Sequence, residues 1–359
     1  MERASTPRNI RTIAGCLLGT AVGDALGLPA EGLSKRRQRA LLGTVDQHRL
    51  LFGRGLGSDD TEHTVLVAQA LTASAGEPEA FRRALARGLR RWFLLLPAGV
   101  GKATALACLR LLGGVSPERS GVFSAGNGPA MRAALLGVCH GDDLPHLRAL
   151  VGVSTRVTHT DPQAEQGALA VALCAHRFAR GQTDAADFVA ALAGALEGED
   201  ATTLLAPVRR MAASIAAGED TERFAETLGC GAGVSGYVLH TVPVALHAAF
   251  SHSDDFRAAV TTVIACGGDT DTTGAIVGGI VGTGVGAAGI PAEWVGGLAE
   301  WPCGVGFLTQ TAERLAEVVA SGRPRRPLSA PLPALFLRNV GFLAVVLYHG
   351  LRRLLPPYG

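Results

Sequence analysis

Gly267-Gly268-Asp269-Thr270-Asp271-Thr272-Thr273 is the stretch from which the fold can be read. It places two carboxylates two residues apart, with hydroxyl side chains between and after them. The uncharged run Gly274-Ala275-Ile276-Val277-Gly278-Gly279-Ile280-Val281-Gly282 follows, and no charge recurs before Glu293. Soluble chains rarely bury Asp unless it is paired or holds a metal. An acidic cluster at the mouth of an apolar segment therefore calls for a cation or a hydrogen-bonding cage. A helix starting near Asp271 would add free N–H groups and the positive end of its dipole.

Roughly two hundred residues upstream stands a second cluster, Ser58-Asp59-Asp60-Thr61-Glu62. It too opens a run that reads as helix, through Val65, Leu66, Ala68, Ala70 and Leu71. Ser and Asp are good helix caps, but a cap uses one residue and each cluster holds at least three. A shared metal site is the reading preferred to a pair of caps. Its ligand set is Ser58, Asp59, Asp60, Asp269, Asp271 and Thr272, with Glu31 near. All are oxygen donors, which suits Mg²⁺, with Mn²⁺ as the alternative. No His or Cys set stands beside them to argue for zinc. Four aspartates exceed what one Mg²⁺ uses, so two ions about 3.5–4 Å apart fit better.

Glycine spacing connects the two ends of the chain. Gly15, Gly19, Gly23 and Gly27 recur every four residues, and so do Gly274, Gly278, Gly282 and Gly286. Each glycine costs a helix about 1 kcal/mol relative to Ala, so a stripe of four implies close approach of another backbone. Ridges at this spacing interdigitate. The two helices are expected to meet near the centre of the fold, which would bring Asp269 and Asp271 near one end of the first. That helix ends around Leu28-Pro29, leaving Glu31 in reach of the acidic cluster.

The remaining chain reads as helix after helix. Apolar residues make up 48% and aromatics 5%, so Ala, Leu and Gly carry the core. That suits tightly packed helices, and no strand–helix alternation marks a domain boundary. The expected fold is an all-α, single-domain helical bundle over residues 10–320, with the metal site at helix N-termini. The net charge of +2 is too small to argue for nucleic acid. Seven scattered Cys without a C-x-x-C point away from disulfides and zinc, and towards a reducing cytoplasm. Cys266, beside the Gly-Gly-Asp, is either a reactive thiol or, more simply, a small buried apolar residue.

Two membrane signals are set aside. Ile13-Ala14-Gly15-Cys16 imitates a lipoprotein box, but the apolar run follows the Cys instead of preceding it. Residues 272–290 approach the length of a span, yet they are rich in Gly and abut the acidic cluster. Residues 1–9 read as a tail before a helix from Ile10. Residues 321–359 change character, with Arg and Pro but no acid. Their apolar run from Ala334 to Tyr348 is a helix docked on the body or, less favoured, an amphipathic element on a membrane surface. It is short for a span and holds Arg338.

Three further segments bear on ligands. Gly126-Asn127-Gly128 is loop chemistry tolerant of positive φ ahead of an apolar helix, so its N–H groups could cradle an anion such as phosphate. His159 and Asp161, in Thr158-His159-Thr160-Asp161-Pro162, are helix-cap residues that could also touch a ligand. Tyr237, after the Gly-rich segment 229–236, either stacks on a ring or packs in the core.

In this order and spacing, GCLLGTAVGDALGLPAE (Gly15–Glu31), SDDTE (Ser58–Glu62), GNGPAMR (Gly126–Arg132), THTDPQAEQGALAVA (Thr158–Ala172), GYV (Gly236–Val238) and GGDTDTT (Gly267–Thr273) resemble the ADP-ribosylglycohydrolase family. The resemblance implies an all-α domain with a binuclear Mg²⁺ centre held by Ser58, Asp59, Asp60, Asp269, Asp271 and Thr272. It implies that Glu31 guards the metals, that Gly126, Asn127, Gly128 and His159 line an ADP-ribose pocket, and that Tyr237 lies near it. The implied reaction is hydrolysis of the bond joining the ribose to an ADP-ribosylated protein side chain or small conjugate. Asp60 is then the preferred general base and Glu31 the second. A non-catalytic ADP-ribose-binding or structural relative, and another two-metal nucleotide or phosphoester hydrolase, are the competing readings. His63 departs from the family, where an apolar residue is common, and residues 321–359 have no counterpart in its core.

Overall fold

The glycine stripes form the central contact of the molecule. In the computed structural model, which describes residues 6–354, helix Thr6–Gly27 lies against helix Thr270–Val285 in antiparallel register. A Cβ built on Gly15, Gly19, Gly23 or Gly27 would stand between 2.0 and 2.1 Å from the carbonyl oxygen of Gly282, Gly278, Gly274 or Thr270 respectively. No residue but glycine allows backbones this close. Gly286 terminates its helix with φ of 73° and still closes on the seam, its Cα 2.9 Å from a Cβ built on Gly15, while Thr270 faces Gly27 at the other end. Arg11 completes the helix end by donating to the carbonyl oxygens of Gly284 and Val285 at 2.8 and 3.0 Å, satisfying C-terminal carbonyls that the helix itself leaves open.

The glycine-seam pair is the axis around which the other helices pack. Helix Thr270–Val285 is buried almost along its whole length, which explains its uncharged sequence without a membrane. Helices Asp59–Ser74, Pro162–Ala179, Val238–Ser251 and Phe256–Ala265 pack on it, and Val305–Ser321 packs on its partner Thr6–Gly27. The described residues form eighteen α-helices and two 3-10 turns, with isolated β-bridges but no strand. One apolar core runs from Ile13 in the first helix to Ala316 in the seventeenth, and a smaller cluster of Leu28, Leu50, Leu56, Ala98 and Phe342 receives the last helix. The all-α expectation holds.

Several boundaries differ from the sequence reading for local reasons. The first helix begins at Thr6, within the stretch read as a tail; residues 1–5 lie outside the described residues. The basic run Lys35–Arg39 keeps Arg36, Arg37 and Arg39 exposed. It opens helix Lys35–Leu42, capped by Ser34, with Lys35 and Arg39 paired to Glu222 and Gln38 buried against the Ile264 carbonyl oxygen.

The C-terminal extension forms helix Leu332–Leu354. It docks through Arg338, Asn339 and Phe342, the last two only 3% and 4% exposed. Asn339 Nδ2 donates to the Leu95 carbonyl oxygen at 2.9 Å, and a His349 ring nitrogen lies 2.8 Å from the Leu50 carbonyl oxygen. Leu337, Leu347 and Leu351 on the opposite side are exposed.

Candidate active site

Both acidic clusters stand at helix N-termini. Ser58 caps helix Asp59–Ser74 through its side chain, and Asp269 is the residue before helix Thr270–Val285. Their meeting point is Asp60. Its Oδ2 accepts from the hydroxyl of Ser58 at 3.1 Å and from the hydroxyl of Thr272 at 3.2 Å. Segments 212 residues apart thus share one carboxylate oxygen.

Sequence reasoning missed the residue that fixes the first cluster. Asp24, fully buried in the glycine-striped helix, accepts from the backbone N–H of Ser58 at 2.8 Å and of Thr61 at 3.1 Å. It also accepts from the Thr61 hydroxyl. The first turn of helix Asp59–Ser74 is therefore tied to the seam. Burial pushes the Asp24 carboxyl up to about 6, against the lowering effect of its donors. The available signal was a single acid in an otherwise apolar helix, flanked by seam glycines.

The second cluster is held by its two glycines. Gly267 and Gly268 adopt φ of 72° and 84°, and a Cβ on Gly268 would stand 2.0 Å from the Val234 carbonyl oxygen. Gly268 N–H donates to the Leu33 carbonyl oxygen and Asp269 N–H to that of Val234, at 2.9 and 2.8 Å. The side-chain amide of Asn127 donates to Asp269 Oδ2 at 2.7 Å and to the Thr241 hydroxyl at 3.0 Å. Asn127 thus orients a candidate metal ligand.

Burial, and then mutual repulsion, raise Asp59, Asp60 and Asp271 well above the usual carboxylate range. One oxygen each of Asp24, Asp60 and Asp271 is buried without a hydrogen-bond partner. Such atoms are costly unless a cation or a proton compensates them. The all-oxygen donor set fits a hard cation. Among the described residues, however, no three carboxylate, imidazole or thiol groups close into a finished ligand cage.

In front of the acids opens a pocket of about 360 Å³. Glu31, Asp59, Asp269, Asp271 and Thr272 line its wall together with Gly126, Asn127, Gly128 and His159. Ser58 and Asp60 lie behind this wall, 3% and 1% exposed, while Glu31 is exposed. Gly126 and Gly128 lack the positive φ that the loop reading allowed. Their reason is His159: a Cβ on either would stand 3.1 Å from its ring. Tyr237 is beside Gly126 through a backbone bridge, but its hydroxyl donates to Gln163 at 2.7 Å and its ring meets His240 edge-on, outside the pocket lining.

His63, the departure from the family pattern, belongs to a buried polar chain behind the site. Its Nδ1 lies 3.1 Å from Arg132 Nη1, and its ring stands edge-on to Trp92. Arg132, itself fully buried, donates to the Thr158 hydroxyl at 2.7 Å, which sits 2.9 Å from His159 Nδ1. Burial, with Arg132 adding to it, keeps both imidazoles neutral: His63 falls well below its ordinary value and His159 to about 3.

Residues 5–325 match the family model for ADP-ribosylglycohydrolase. The chain belongs to the ADP-ribosylglycohydrolase family. It is 36% identical over 311 residues to an uncharacterized protein of Archaeoglobus fulgidus, covering 84% of this chain and 95% of that one. It is 27% identical to the ADP-ribosyl-[dinitrogen reductase] glycohydrolase of Rhodospirillum rubrum, over 79% of this chain and 89% of that enzyme. Against the ADP-ribosylhydrolase ARH3 of Gallus gallus the identity is 25%, over 78% and 87% of the two chains. A solved ADP-ribosylglycohydrolase-related protein complex has a chain similar to this family member with a TM-score of 0.63 at 26% identity, covering 87% of this chain and 99% of that one. Membership supports hydrolysis of ADP-ribose from a modified substrate as the type of reaction.

Proposed function

We propose that the protein is a Mg²⁺-dependent hydrolase that cleaves the N- or O-glycosidic bond between ADP-ribose and a modified protein side chain or small conjugate. The observation that carries this reading is the shared Asp60 carboxylate: two hydroxyls from distant segments fix one oxygen, while the other, like one oxygen of Asp271, is buried and unpartnered. Ser58, Asp59, Asp60, Asp269, Asp271 and Thr272 would hold two ions. Bound Mg²⁺ would supply attraction for vicinal ribose hydroxyls and a lowered pKa for an attacking water.

The chain's own residues divide the remaining work. Asn127 holds Asp269 in place, and Asp24 holds the turn that carries Asp59 and Asp60. Gly126 and Gly128 leave room for His159 at the pocket wall. The general base must reach a water in the pocket. Sequence reasoning preferred Asp60, but Asp60 is almost inaccessible while Glu31 stands exposed on the pocket wall. We therefore assign the base role to Glu31 and keep Asp60 as ligand. Glu31 takes the water's proton as the water oxygen bonds to the anomeric carbon; the bond to the side-chain nitrogen or oxygen breaks with its electron pair left on that atom, which then receives the proton from Glu31.

Glu31→Gln and Asp60→Ala test this division. Glu31→Gln should lower kcat about 10²–10⁴-fold with metal affinity kept within a few fold, whereas Asp60→Ala should lose metal binding and activity together. The reverse pattern would return the base role to Asp60.

A further inference from the structure

We propose that Arg338, on the C-terminal helix beyond the family-matched residues 5–325, is a positioning residue for the turn that carries the first acidic cluster. The helix then belongs to the active-site architecture and is no mere appendage. The inference rests on the proposed function for its catalytic meaning, but its structural content stands apart from it.

The side chain of Arg338 is 6% exposed and reaches under the turn 57–60. Its Nη2 donates to the Gly57 carbonyl oxygen at 2.6 Å. Its Nε and Nη2 donate to the two carboxylate oxygens of Glu300 at 2.7 and 2.9 Å. Its Nη1 donates to Glu62 at 2.8 Å. Glu300 returns to the same residue, accepting from Gly57 N–H at 3.0 Å. Both backbone groups of Gly57, the residue before Ser58, are thus held by one ion-paired unit. Asp24 grips the next N–H, that of Ser58. The turn is clamped from two sides: by the seam helix and by the C-terminal helix.

Charge and shape both favour arginine here. Glu62 and Glu300 are 20% and 10% exposed in their side chains, so removing Arg338 leaves two poorly solvated acids under an already acidic site. Truncating one partner of a buried ion pair is strongly destabilising because the remaining charge is uncompensated. Lysine would keep the charge but lacks the planar fork that reaches Glu300 with two nitrogens. Glu62 also accepts from Trp92 Nε1 at 2.5 Å, so the clamp extends to the ring against which His63 packs.

The test uses the full chain as wild type, Arg338→Met, Arg338→Lys and His349→Ala. The His349 variant weakens docking of the same helix at Leu50, far from the clamp. Amide hydrogen exchange is read over peptides 57–61 and 332–351, and Mn²⁺ affinity is read by calorimetry. We expect Arg338→Met to speed exchange of 57–61 at least tenfold and to weaken Mn²⁺ binding at least tenfold. Arg338→Lys should recover part of both, and His349→Ala should loosen only 332–351. Arg338→Met with unchanged exchange at 57–61 would overturn the proposal, as would unchanged Mn²⁺ affinity in a protein whose wild type binds Mn²⁺. A wild type that binds no Mn²⁺ would instead count against the proposed function, with the exchange pattern still deciding the role of Arg338.

Discussion

Gly19→Ala is the perturbation that probes the seam most sharply. A Cβ at residue 19 would stand 2.1 Å from the Gly278 carbonyl oxygen, where ordinary contact begins at 3.4 Å. The obstructing atom is backbone, so no side chain can rotate away and the helices must part. A gap of about 0.5–1 Å forfeits roughly a quarter to a half of each contact's attraction, and this seam runs the length of both buried helices. Overpacking in a well-packed core typically costs about 1–3 kcal/mol; a rigid backbone places this site at or above the top of that range. Against it stands about 1 kcal/mol gained by Ala over Gly in a helix. The net expectation is destabilisation by about 2 kcal/mol or more. Gly341→Ala makes the same chemical change within helix Leu332–Leu354, where a Cβ meets nothing within 4 Å; it should raise stability by up to about 1 kcal/mol. Urea unfolding midpoints at unchanged m-values measure both. A Gly19→Ala protein as stable as wild type would refute the close-packed seam.

Three further expectations follow from the site and its surroundings. Asn127→Ala removes the amide that holds Asp269; ADP-ribose release should fall at least tenfold while the thermal midpoint moves by only a few degrees, and unchanged turnover would show that Asp269 needs no such support. Gly128→Ala brings a Cβ to 3.1 Å from His159, so KM should rise more than kcat falls; a change in kcat alone would move the role of this wall from binding to chemistry. On acidification, His140 and His247, lowered by burial to about 4, and His159, lowered to about 3, stay neutral in the fold but take up protons on unfolding. Stability from these groups is present near neutrality and is lost as pH falls from about 6.5 towards 4. Asp24 acts oppositely: its pKa, raised to about 6, favours the fold fully below the ordinary Asp value of about 3.9, and that contribution is lost as pH rises through about 6. Thermal midpoints across pH 4–7 should therefore decline on the acid side, less steeply in wild type than in Asp24→Asn. A flat profile in both would contradict the buried neutral histidines.

What could be read from the chain alone divides along physical lines. The seam was legible because glycine every fourth residue is a costly pattern with one structural use, and it predicted which helices meet. The two acidic clusters were legible because hydroxyls and carboxylates at helix starts recur in both; the shared oxygen of Asp60 is their meeting point. Asp24 escaped notice because it is a single charge on a helix read for its glycines, with no periodic signal of its own. Arg338 was noticed only as an obstacle to a membrane span. Its partners, Glu62 and Glu300, lie 276 and 38 residues away, and no spacing rule encodes such a pairing. The glycines around Asn127 were read for φ freedom, whereas the structure uses their missing side chains to admit His159. Loop glycines serve either need, and only the neighbour across the pocket distinguishes them.

The most direct measurement is release of free ADP-ribose from Arg-linked and Ser-linked substrates, in Mg²⁺ and in EDTA, by wild type and Asp60→Ala. The account predicts release by wild type from at least one substrate, abolished by EDTA, restored by added Mg²⁺ and absent in Asp60→Ala. Release that persists undiminished in EDTA, or in Asp60→Ala, would contradict the metal site on which the account is built.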